Sequence, residues 1–336
     1  MDSGQESIYF IRGNVLGDAQ AAEVLRSLAF GEMLEDASGL WAGKIHSTDL
    51  QDILSGVFQW KTRKSSYLPD CISHPEDLFA KNGAQLCKDY EVLTKGRKSA
   101  SISSSNRILG DQLFVEEGVE VEFAHINTLL GPVYLGKNAQ IFEGCNIRGP
   151  FALGEESILK MGTQVYSNVS IGPFSTMGGE LNTCVVWGYS AKGHHGYFGS
   201  GVMGAWCNWG AGSSNSNLKN TYGPVSLYDY PSKGMRDTNL QVCGVIMGDY
   251  VRCAINTSFY TACVIGAGAQ IASPYPVEHF IPDFSWVRGQ ALSVYRMDKL
   301  LETLKLVFQR RNRIFAPSET RMLGSVFTLT EEFRNL

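Results

Sequence analysis

Apolar residues recur at every sixth position through the middle of this chain. The run contains Phe123, Leu129, Leu135, Ile141, Ile147, Leu153, Leu159, Val165, Ile171 and Met177. From Leu135 onward, glycine follows every third member, at Gly136, Gly154 and Gly172. An α-helix has a period of 3.6 residues and a strand alternates with a period of two, so neither requires a strict six. Short strands wound around a triangular prism, three to a turn, do require it.

The same register restarts further along the chain. Its later members are Met247, Cys253, Phe259, Ile265 and Ile271, with glycine again at Gly248 and Gly266. Chance spacing in a chain that is 44% apolar is not expected to resume in register. The pattern therefore predicts a mainly β prism of stacked coils from about residue 113 to about residue 287, interrupted chiefly at residues 192–197 and 217–236.

The segment before the coils follows other periods. Residues 9–15 and 40–45 predict strands, and residues 21–28 predict a helix. Neither a GxGxxG motif nor a P-loop follows the first strand, so this α/β unit is incomplete as a nucleotide-binding domain. The polar segment at residues 99–106, SASISSSN, predicts a linker to the coils.

The period becomes helical after residue 291. One helical face contains Val294, Met297, Leu301, Leu304 and Phe308. A second helix is predicted after Pro317, because proline is favoured in the first turn of a helix. The predicted domains are therefore an α/β domain with its linker at residues 1–112, a β-helix at residues 113–287, and C-terminal helices at residues 288–336.

Composition and charge exclude several classes of function. The net charge of the 336-residue chain is -4, and its densest basic group is Arg310, Arg311 and Arg313, so neither nucleic acid nor an anionic membrane surface is an expected partner. No apolar run approaches the roughly 20 residues that span a bilayer, and no signal peptide is recognisable, so we expect a cytoplasmic protein. Its 8 cysteines form no CxxC pair and are expected to be reduced core thiols.

The loop at residues 190–199, SAKGHHGYFG, is the first candidate for chemistry. His194 and His195 lie between Gly193 and Gly196, which offer no apolar face and indicate a backbone that bulges outward. Two segments rich in amides follow, NWGAG at residues 208–212 and NSNLKN at residues 215–220. Their asparagines either order a polar ligand or fill turns inside the coils, and for Asn215 both interpretations stay open.

These segments resemble motifs of a known enzyme family. GHHGYFG, NWGAG and NSNLKN are similar, in order, to the GHxxYxGD, NxGAGT and CNY/ANL motifs of the acetyltransferase half of the bifunctional uridylyltransferase and glucosamine-1-phosphate N-acetyltransferase. With GPVYLG, IRGPFALGE, LKMGTQVY and LTKGRKS, the chain resembles even more closely an alternative bacterial form of that enzyme, described as a sugar nucleotidyltransferase. The resemblance covers essentially all 336 residues.

The resemblance implies a left-handed parallel β-helix, built from hexapeptide repeats, that assembles into a homotrimer with active sites between neighbouring prisms. Acetyl-CoA, as co-substrate, would donate its acetyl group to the amine of a hexosamine 1-phosphate, with no metal required. By motif position, His194 would be the general base, Tyr197 would help to hold the sugar phosphate, and Asn217 would orient the amine or the sugar. The acetyl-CoA thioester would lie at Asn208 and Ala211.

The chain departs from the better-known family at its phosphate site. That family has an arginine in an IGPFARLRPG segment, whereas residues 171–180 of this chain read IGPFSTMGGE. Lys192 is the first candidate substitute, and the others are Arg148, Lys160 and Lys219, although a lysine lacks the planar fork of arginine. His195 is either a phosphate ligand or an exposed spare.

A second departure lies at the front of the chain. The alternative family begins with a segment resembling LLPLTFTRPVAELRVGI, which carries a nucleotide-binding arginine and glycine, whereas this chain opens near IYFIRGNVLG. We therefore expect that the chain as given does not transfer a nucleotidyl group unaided.

Three functions remain open from the sequence. The favoured one is acetyl transfer to a hexosamine 1-phosphate in UDP-N-acetylhexosamine synthesis. Glucosamine 1-phosphate is the expected substrate, although the sequence does not distinguish it from galactosamine 1-phosphate. The alternatives are a UDP-N-acetylglucosamine diphosphorylase whose catalytic front segment is missing, and a noncatalytic module for oligomerisation or ligand sensing.

Overall fold

A computed structural model of the chain describes residues 6–37, 39–277 and 279–334. The chain divides into two compact units, Met1–His74 and Pro75–Leu336. No helix among the described residues combines the length and the apolar character that a bilayer crossing requires.

The first unit is a four-stranded mixed sheet with short helices. Its elements are β1 (Ser7–Ile11), α1 (Ala19–Arg26), β2 (Glu32–Asp36), β3 (Gly39–His46), α2 (Leu50–Leu54) and β4 (Lys61–Lys64), with a 3-10 turn at Ser47–Asp49. The strand order is β1-β3-β2-β4. Strand β3 is antiparallel to both neighbours, and β4 is parallel to β2. The core of this unit is formed by Leu28, Leu34, Trp41 and Ala42.

Helix α1 begins where the sequence supplies a cap. The Asp18 carboxylate accepts a hydrogen bond of 2.7 Å from the Ala21 N–H, which satisfies one of the free donors of the first turn. The predicted helix and the two predicted strands correspond to α1, β1 and β3 within a few residues. Strands β2 and β4 were not predicted, because their sequences, EMLED and KTRK, carry charge instead of the apolar alternation of a half-buried strand.

The second unit begins with two helices and continues into the coils. The helices are α3 (Asp77–Ala80) and α4 (Asn82–Thr94). The strands that follow are β5 (Arg107–Leu109), β6 (Leu113–Val115), β7 (Glu120–Val121), β8 (His125–Asn127), β9 (Val133–Leu135), β10 (Gln140–Ile141), β11 (Asn146–Arg148), β12 (Phe151–Leu153), β13 (Ile158–Leu159), β14 (Gln164–Val165), β15 (Val169–Ile171), β16 (Thr176–Met177), β17 (Glu180–Val186), β18 (Ala191–Lys192), β19 (Tyr197–Met203), β20 (Asn208–Trp209) and β21 (Ser214–Asn215).

After a hairpin, the coils resume and end in two helices. The hairpin is β22 (Ser226–Asp229) and β23 (Gly234–Asp237). The later strands are β24 (Ile246–Met247), β25 (Arg252–Cys253), β26 (Ser258–Phe259), β27 (Val264–Ile265), β28 (Gln270–Ala272), β29 (Phe280–Ile281), β30 (Ser285–Arg288) and β31 (Ala291–Val294). The chain continues as α5 (Met297–Arg310), α6 (Pro317–Leu329) and a 3-10 turn at Glu331–Arg334.

The coil strands stack in parallel as the three faces of a prism. The first face contains β5, β8, β11, β14 and the front halves of β17 and β19, followed by β21 and β26. The second face contains β6, β9, β12, β15, the rear halves of β17 and β19, and then β24, β27 and β29. The third face contains β7, β10, β13, β16, β18, β20, β25, β28 and β30, with β31 antiparallel at its end. The predicted left-handed β-helix is confirmed.

Most of the six-residue register points into the prism. From Leu135 to Met177 every member of the run is at most 3% exposed, and the later members from Met247 to Ile271 are also buried. Phe123 and Leu129 were predicted inward but are 63% and 64% exposed.

The register fails at these two positions because an early coil is longer than the 18 residues of a regular turn. Ile141 pairs with Leu159 in the following coil, 18 positions on, but with Val121 in the preceding coil, 20 positions back. The inward positions of the early coils are therefore held by Val121 and Ile126.

The C-terminal helices pack on a corner of the prism. Leu304 and Phe308 are buried, as the helical period predicts, and Pro317 occupies the first turn of α6. Leu300 is also buried but was not predicted, whereas the predicted Met297 and Leu301 are only half-buried. The ring of Phe308 stacks on that of Trp206 at 3.9 Å between centroids, and Trp206 stacks on Tyr189. Val294, predicted on the same helical face, instead ends β31 and is exposed. The predicted domain boundaries after residues 112 and 287 stay a prediction.

Close contact between coils makes Gly154 sensitive to any side chain. A Cβ at Gly154 would lie 2.7 Å from the Pro173 nitrogen and 2.8 Å from the Gly172 carbonyl carbon, which are backbone atoms that cannot rotate away. We expect Gly154→Ala to lower the free energy of unfolding by about 1–3 kcal/mol, as overpacking does. Gly324→Ala in α6 has open space and should raise it by about 0.5–1 kcal/mol. Urea unfolding of the two variants measures both changes in the free energy of unfolding. Equal changes would contradict the idea that contact between coils excludes a side chain at Gly154.

Candidate functional site

A cavity of about 550 Å³ opens at the edge between the third and the first face. Its side chains come from successive coils, with His194, His195 and Tyr197 from one coil and Lys160, Gln164 and Glu180 from the coils before it. The apolar part of the lining is Phe142 and Met161. The cavity therefore combines imidazoles, a cation and a carboxylate within one concave surface.

Glycines allow the histidine loop to lie close to the neighbouring coils. The loop runs from β18 to β19, and a Cβ at Gly196 would lie 2.1 Å from the Ser213 carbonyl oxygen. Gly196 also has φ of +121°, a conformation that side chains rarely adopt. On the preceding coil, a Cβ at Gly178 would lie 2.9 Å from the Gly193 carbonyl carbon. His194 and His195 are exposed at the tip, as the bracketing glycines predict.

Lys192 lies beneath this loop instead of beside the cavity. The residue is 1% exposed, and its ammonium donates to the carbonyl oxygens of Gly178 at 3.0 Å, His194 at 3.1 Å and Gly196 at 2.7 Å. An ammonium has three hydrogens, so none remains for a phosphate. The expectation that Lys192 grips the substrate phosphate is incompatible with this position. Burial lowers the pKa of Lys192 to about 8.

Tyr197 and Asn217 are brought together across two coils. The Asn217 side-chain amide donates to the Tyr197 hydroxyl at 3.0 Å and to the Ser200 hydroxyl at 3.2 Å. Burial raises the pKa of the Tyr197 phenol, so the group stays protonated at neutral pH. The Tyr197 hydroxyl is therefore held in place by Asn217 and keeps its proton.

Glu180 and Lys160 complete the polar lining. Glu180 is the register partner of Tyr197 on β17, and Gln164 is the partner of Glu180 on β14, so the three lie in one row on the first face. The Lys160 ammonium lies 5.0 Å from the centre of the Phe142 ring. Glu180 was not among the predicted site residues. The sequence feature that could have indicated it is an acidic residue directly after Gly178 and Gly179, at the start of a coil strand.

Two predicted phosphate ligands lie away from this cavity. Arg148 lines a separate cavity of about 400 Å³ on the first face, together with Arg107 and His125. The Lys219 ammonium donates to the Pro224 carbonyl oxygen at 2.7 Å, in the segment that leads to the hairpin. Neither side chain lines the cavity at the histidine loop.

The predicted acetyl-CoA residues lie on the coil that follows the loop. Asn208 begins β20 on the third face, where it pairs with Ala191 and Arg252, and it is exposed. Ala211 lies in the next turn, and its carbonyl oxygen accepts from the Asn256 N–H at 2.7 Å. Neither residue lines the 550 Å³ cavity of its own chain.

Asn215 is a structural residue of the prism core. It is 3% exposed, its side-chain oxygen accepts from the Gly199 N–H at 3.0 Å, and its amide donates to the Gly199 oxygen at 3.0 Å. Of the two interpretations open from the sequence, the structure supports the one in which Asn215 joins neighbouring coils.

One family match covers the front of the chain. Residues 1–98 match the family model described as "Sugar nucleotidyl transferase". Over 301 residues, 90% of its length, the chain is 24% identical to "Bifunctional protein GlmU" of Methanococcus maripaludis. It is a distant homologue of the GlmU proteins. The chain spans 60% of the length of that relative.

Further similarities extend over smaller parts of the chain. The GlmU protein of Methanocaldococcus jannaschii is 25% identical over 139 residues, which are 41% of this chain and 31% of that protein. Among solved structures, an Arabidopsis UDP-N-acetylglucosamine acyltransferase aligns with 66% of this chain and 80% of its own, at 18% identity and a TM-score of 0.34. A Francisella novicida UDP-N-acetylglucosamine acyltransferase aligns with 69% and 78%, at 16% identity and a TM-score of 0.34.

Replacement of Asn215 tests its structural assignment. Asn215→Leu leaves the buried N–H and C=O of Gly199 without these partners, and an unsatisfied buried group costs about 1–3 kcal/mol. We expect the free energy of unfolding to fall by about 2 kcal/mol or more. The exposed Asn146→Ala should change it by less than about 0.5 kcal/mol. A stable Asn215→Leu protein would return Asn215 to the list of ligand candidates.

Proposed function

We propose that the chain is an acetyl-CoA-dependent N-acetyltransferase that acts on a hexosamine 1-phosphate, with glucosamine 1-phosphate as the expected substrate. The observation that carries this proposal is the histidine loop, which presents His194 to a cavity that also contains Glu180 and Lys160. The distant homology to GlmU proteins over 90% of the chain supports it.

The reaction requires a base and needs no covalent enzyme intermediate. The amine nitrogen attacks the thioester carbonyl carbon, the C–S bond breaks, and the CoA sulfur leaves and takes up a proton. The amine attacks only as the free base, so a proton must first leave the ammonium. His194 accepts this proton as the general base, a role that imidazole side chains often have in enzymes.

Glu180 and Lys160 suit the two charges of the substrate. The Glu180 carboxylate attracts the ammonium of the amino sugar and guides it toward the histidine loop. Lys160 is the basic side chain, other than the histidines, that lines the cavity within the described residues, so it takes the phosphate role first given to Lys192. Tyr197, positioned by Asn217, donates its retained proton to a sugar or phosphate oxygen.

We assign acetyl-CoA to the cleft between subunits of a homotrimer. Asn208 and Ala211 do not line the cavity of their own chain, which is consistent with a site that a neighbouring prism completes. Exposed apolar side chains support such a contact, because Met161 at the cavity edge is 70% exposed and Tyr166 on the first face is 44% exposed.

A second candidate function is sugar-1-phosphate nucleotidyl transfer. The observation that favours it is the family match of residues 1–98. Formation of UDP-N-acetylglucosamine and pyrophosphate from UTP and N-acetylglucosamine 1-phosphate by the purified chain would establish this second activity.

Thiol release is the direct test of acetyl transfer. The purified chain should release CoA from acetyl-CoA only when glucosamine 1-phosphate is present. His194→Ala should lower kcat by about a hundredfold or more, the usual effect of losing a general base, while His195→Ala is the matched control on the same loop. If His195→Ala is the damaging change, the assignment of the base is wrong. Absence of CoA release from the folded wild-type chain would contradict the proposed function.

The phosphate assignment predicts an effect on substrate affinity. Lys160→Met removes a charged donor to the phosphate, so KM for glucosamine 1-phosphate should rise about tenfold or more, with KM for acetyl-CoA unchanged. Lys219→Met is the control, because the Lys219 ammonium is bonded to Pro224 outside the cavity. Steady-state kinetics with each substrate varied will measure both constants. Equal effects of the two variants would contradict the assignment.

A further inference from the structure

A lysine occupies an inward position that the other strands of the third face fill with apolar side chains. Lys192 is the inward residue of β18 and pairs with Met177 on the neighbouring strand. Other inward positions on this face are Ile141, Leu159, Met177, Trp209 and Ile271, all buried. A buried lysine loses the hydration of its ammonium group, so it can keep its charge only where other contacts compensate for that loss.

Those contacts all lie on the backbone beside the candidate active site. The Lys192 ammonium donates to the carbonyls of His194 and Gly196, on either side of His195, and to that of Gly178 on the preceding coil. Two of these bonds hold the loop to Lys192, and the third holds Lys192 to the preceding coil. The loop otherwise carries two glycines and two exposed histidines, which supply little packing of their own.

We propose that Lys192 is a positioning residue whose protonated side chain holds the histidine loop in its active geometry and thereby sets the upper pH limit of catalysis. The inference rests on the proposed acetyl transfer for its kinetic effect. The effect on the loop itself does not depend on the reaction catalysed.

The number of hydrogens on the Lys192 nitrogen is what makes this contact sensitive to pH. The ammonium has three hydrogens for three carbonyl oxygens, whereas the neutral amine has two hydrogens and a lone pair. After deprotonation, one carbonyl oxygen therefore faces a lone pair and the loop loses a contact.

Among the described residues, no carboxylate stabilises the charge of Lys192. The titratable groups that act on it are the thiols of Cys184 and Cys253. Burial raises the pKa of both thiols, so they stay neutral. Burial lowers the pKa of Lys192 to about 8, and the histidine loop should therefore loosen as the pH rises above that value.

The free energy of unfolding changes with pH in the opposite direction from the loop contact. The pKa of Lys192 lies below its ordinary value of 10.5, so between pH 8 and 10.5 the unfolded chain binds this proton more tightly than the folded chain. The contribution of Lys192 to the free energy of unfolding therefore rises with pH across that window. A loss of activity above pH 8 that arises from Lys192 is thus separable from unfolding.

Lys192→Met tests the proposal with kinetics. Methionine is apolar and of similar length, and replacement of a buried charge by a packed apolar side chain is often neutral or stabilising. We expect kcat to fall about tenfold or more at pH 7, and the decline of wild-type kcat above about pH 8 to be absent from the variant. Met177→Leu, at the paired inward position, is the control and should keep the wild-type pH profile.

A second measurement does not depend on catalysis. Amide hydrogen exchange of residues 193–196, corrected for its intrinsic pH dependence, should be faster in Lys192→Met at pH 7, and in the wild-type chain above pH 8. Nitrogen NMR of the wild-type lysines gives the pKa of Lys192 directly, even if the variant fails to fold. Wild-type loop protection in the variant, or a lysine pKa near 10.5, would overturn the proposal. Faster exchange in a chain without acetyl transfer would support the loop contact and contradict the proposed function instead.

Discussion

The hydrogen-bonded contact between successive coils is the constraint on which the rest of the structure depends. Parallel strands must lie about 4.8 Å apart, so every coil has to repeat the path of the coil before it. Glycines such as Gly154 and Gly172 permit this contact because their neighbours leave no room for a Cβ. Additional residues can leave the path only at the corners, as those of the β22–β23 hairpin do. The candidate site lies at another corner, where the turn between β18 and β19 carries the two histidines.

Two polar residues inside the prism belong to the support of that site. Lys192 bonds three carbonyl oxygens around the loop, and Asn215 bonds both backbone groups of Gly199 two residues after Tyr197. Each polar side chain is buried at a position where a repeat of this kind normally has an apolar residue. The Lys192 bond to Gly178 and the Asn215 bonds to Gly199 run between coils. The other two Lys192 bonds hold the loop, so together these contacts fix the loop and the strand that follows it relative to the scaffold. The rigidity of the prism is thereby extended to the edge of the cavity.

The sequence predicted most of the prism because burial imposes a strict period on it. The failures at Phe123 and Leu129 have one cause, a longer coil between Val121 and Ile141 that six-residue counting does not detect. The histidine loop was predicted from its bracketing glycines. Lys192 was predicted as a phosphate ligand from its charge and its place near His194. It lies instead 15 positions after Met177, in a shortened coil, and keeps the inward register of that residue. Glu180 was missed because an isolated acidic residue on a strand carries no periodic signal.

The antiparallel strand β31 has a consequence for the solution behaviour of the molecule. A stack of parallel strands ends in a row of unpaired backbone groups, which is the type of edge that templates addition of another chain. On the third face that row belongs to β30, and its partner is the short, reversed β31. A further parallel strand from a second molecule would first have to displace β31, so this face is protected against fibre-like growth.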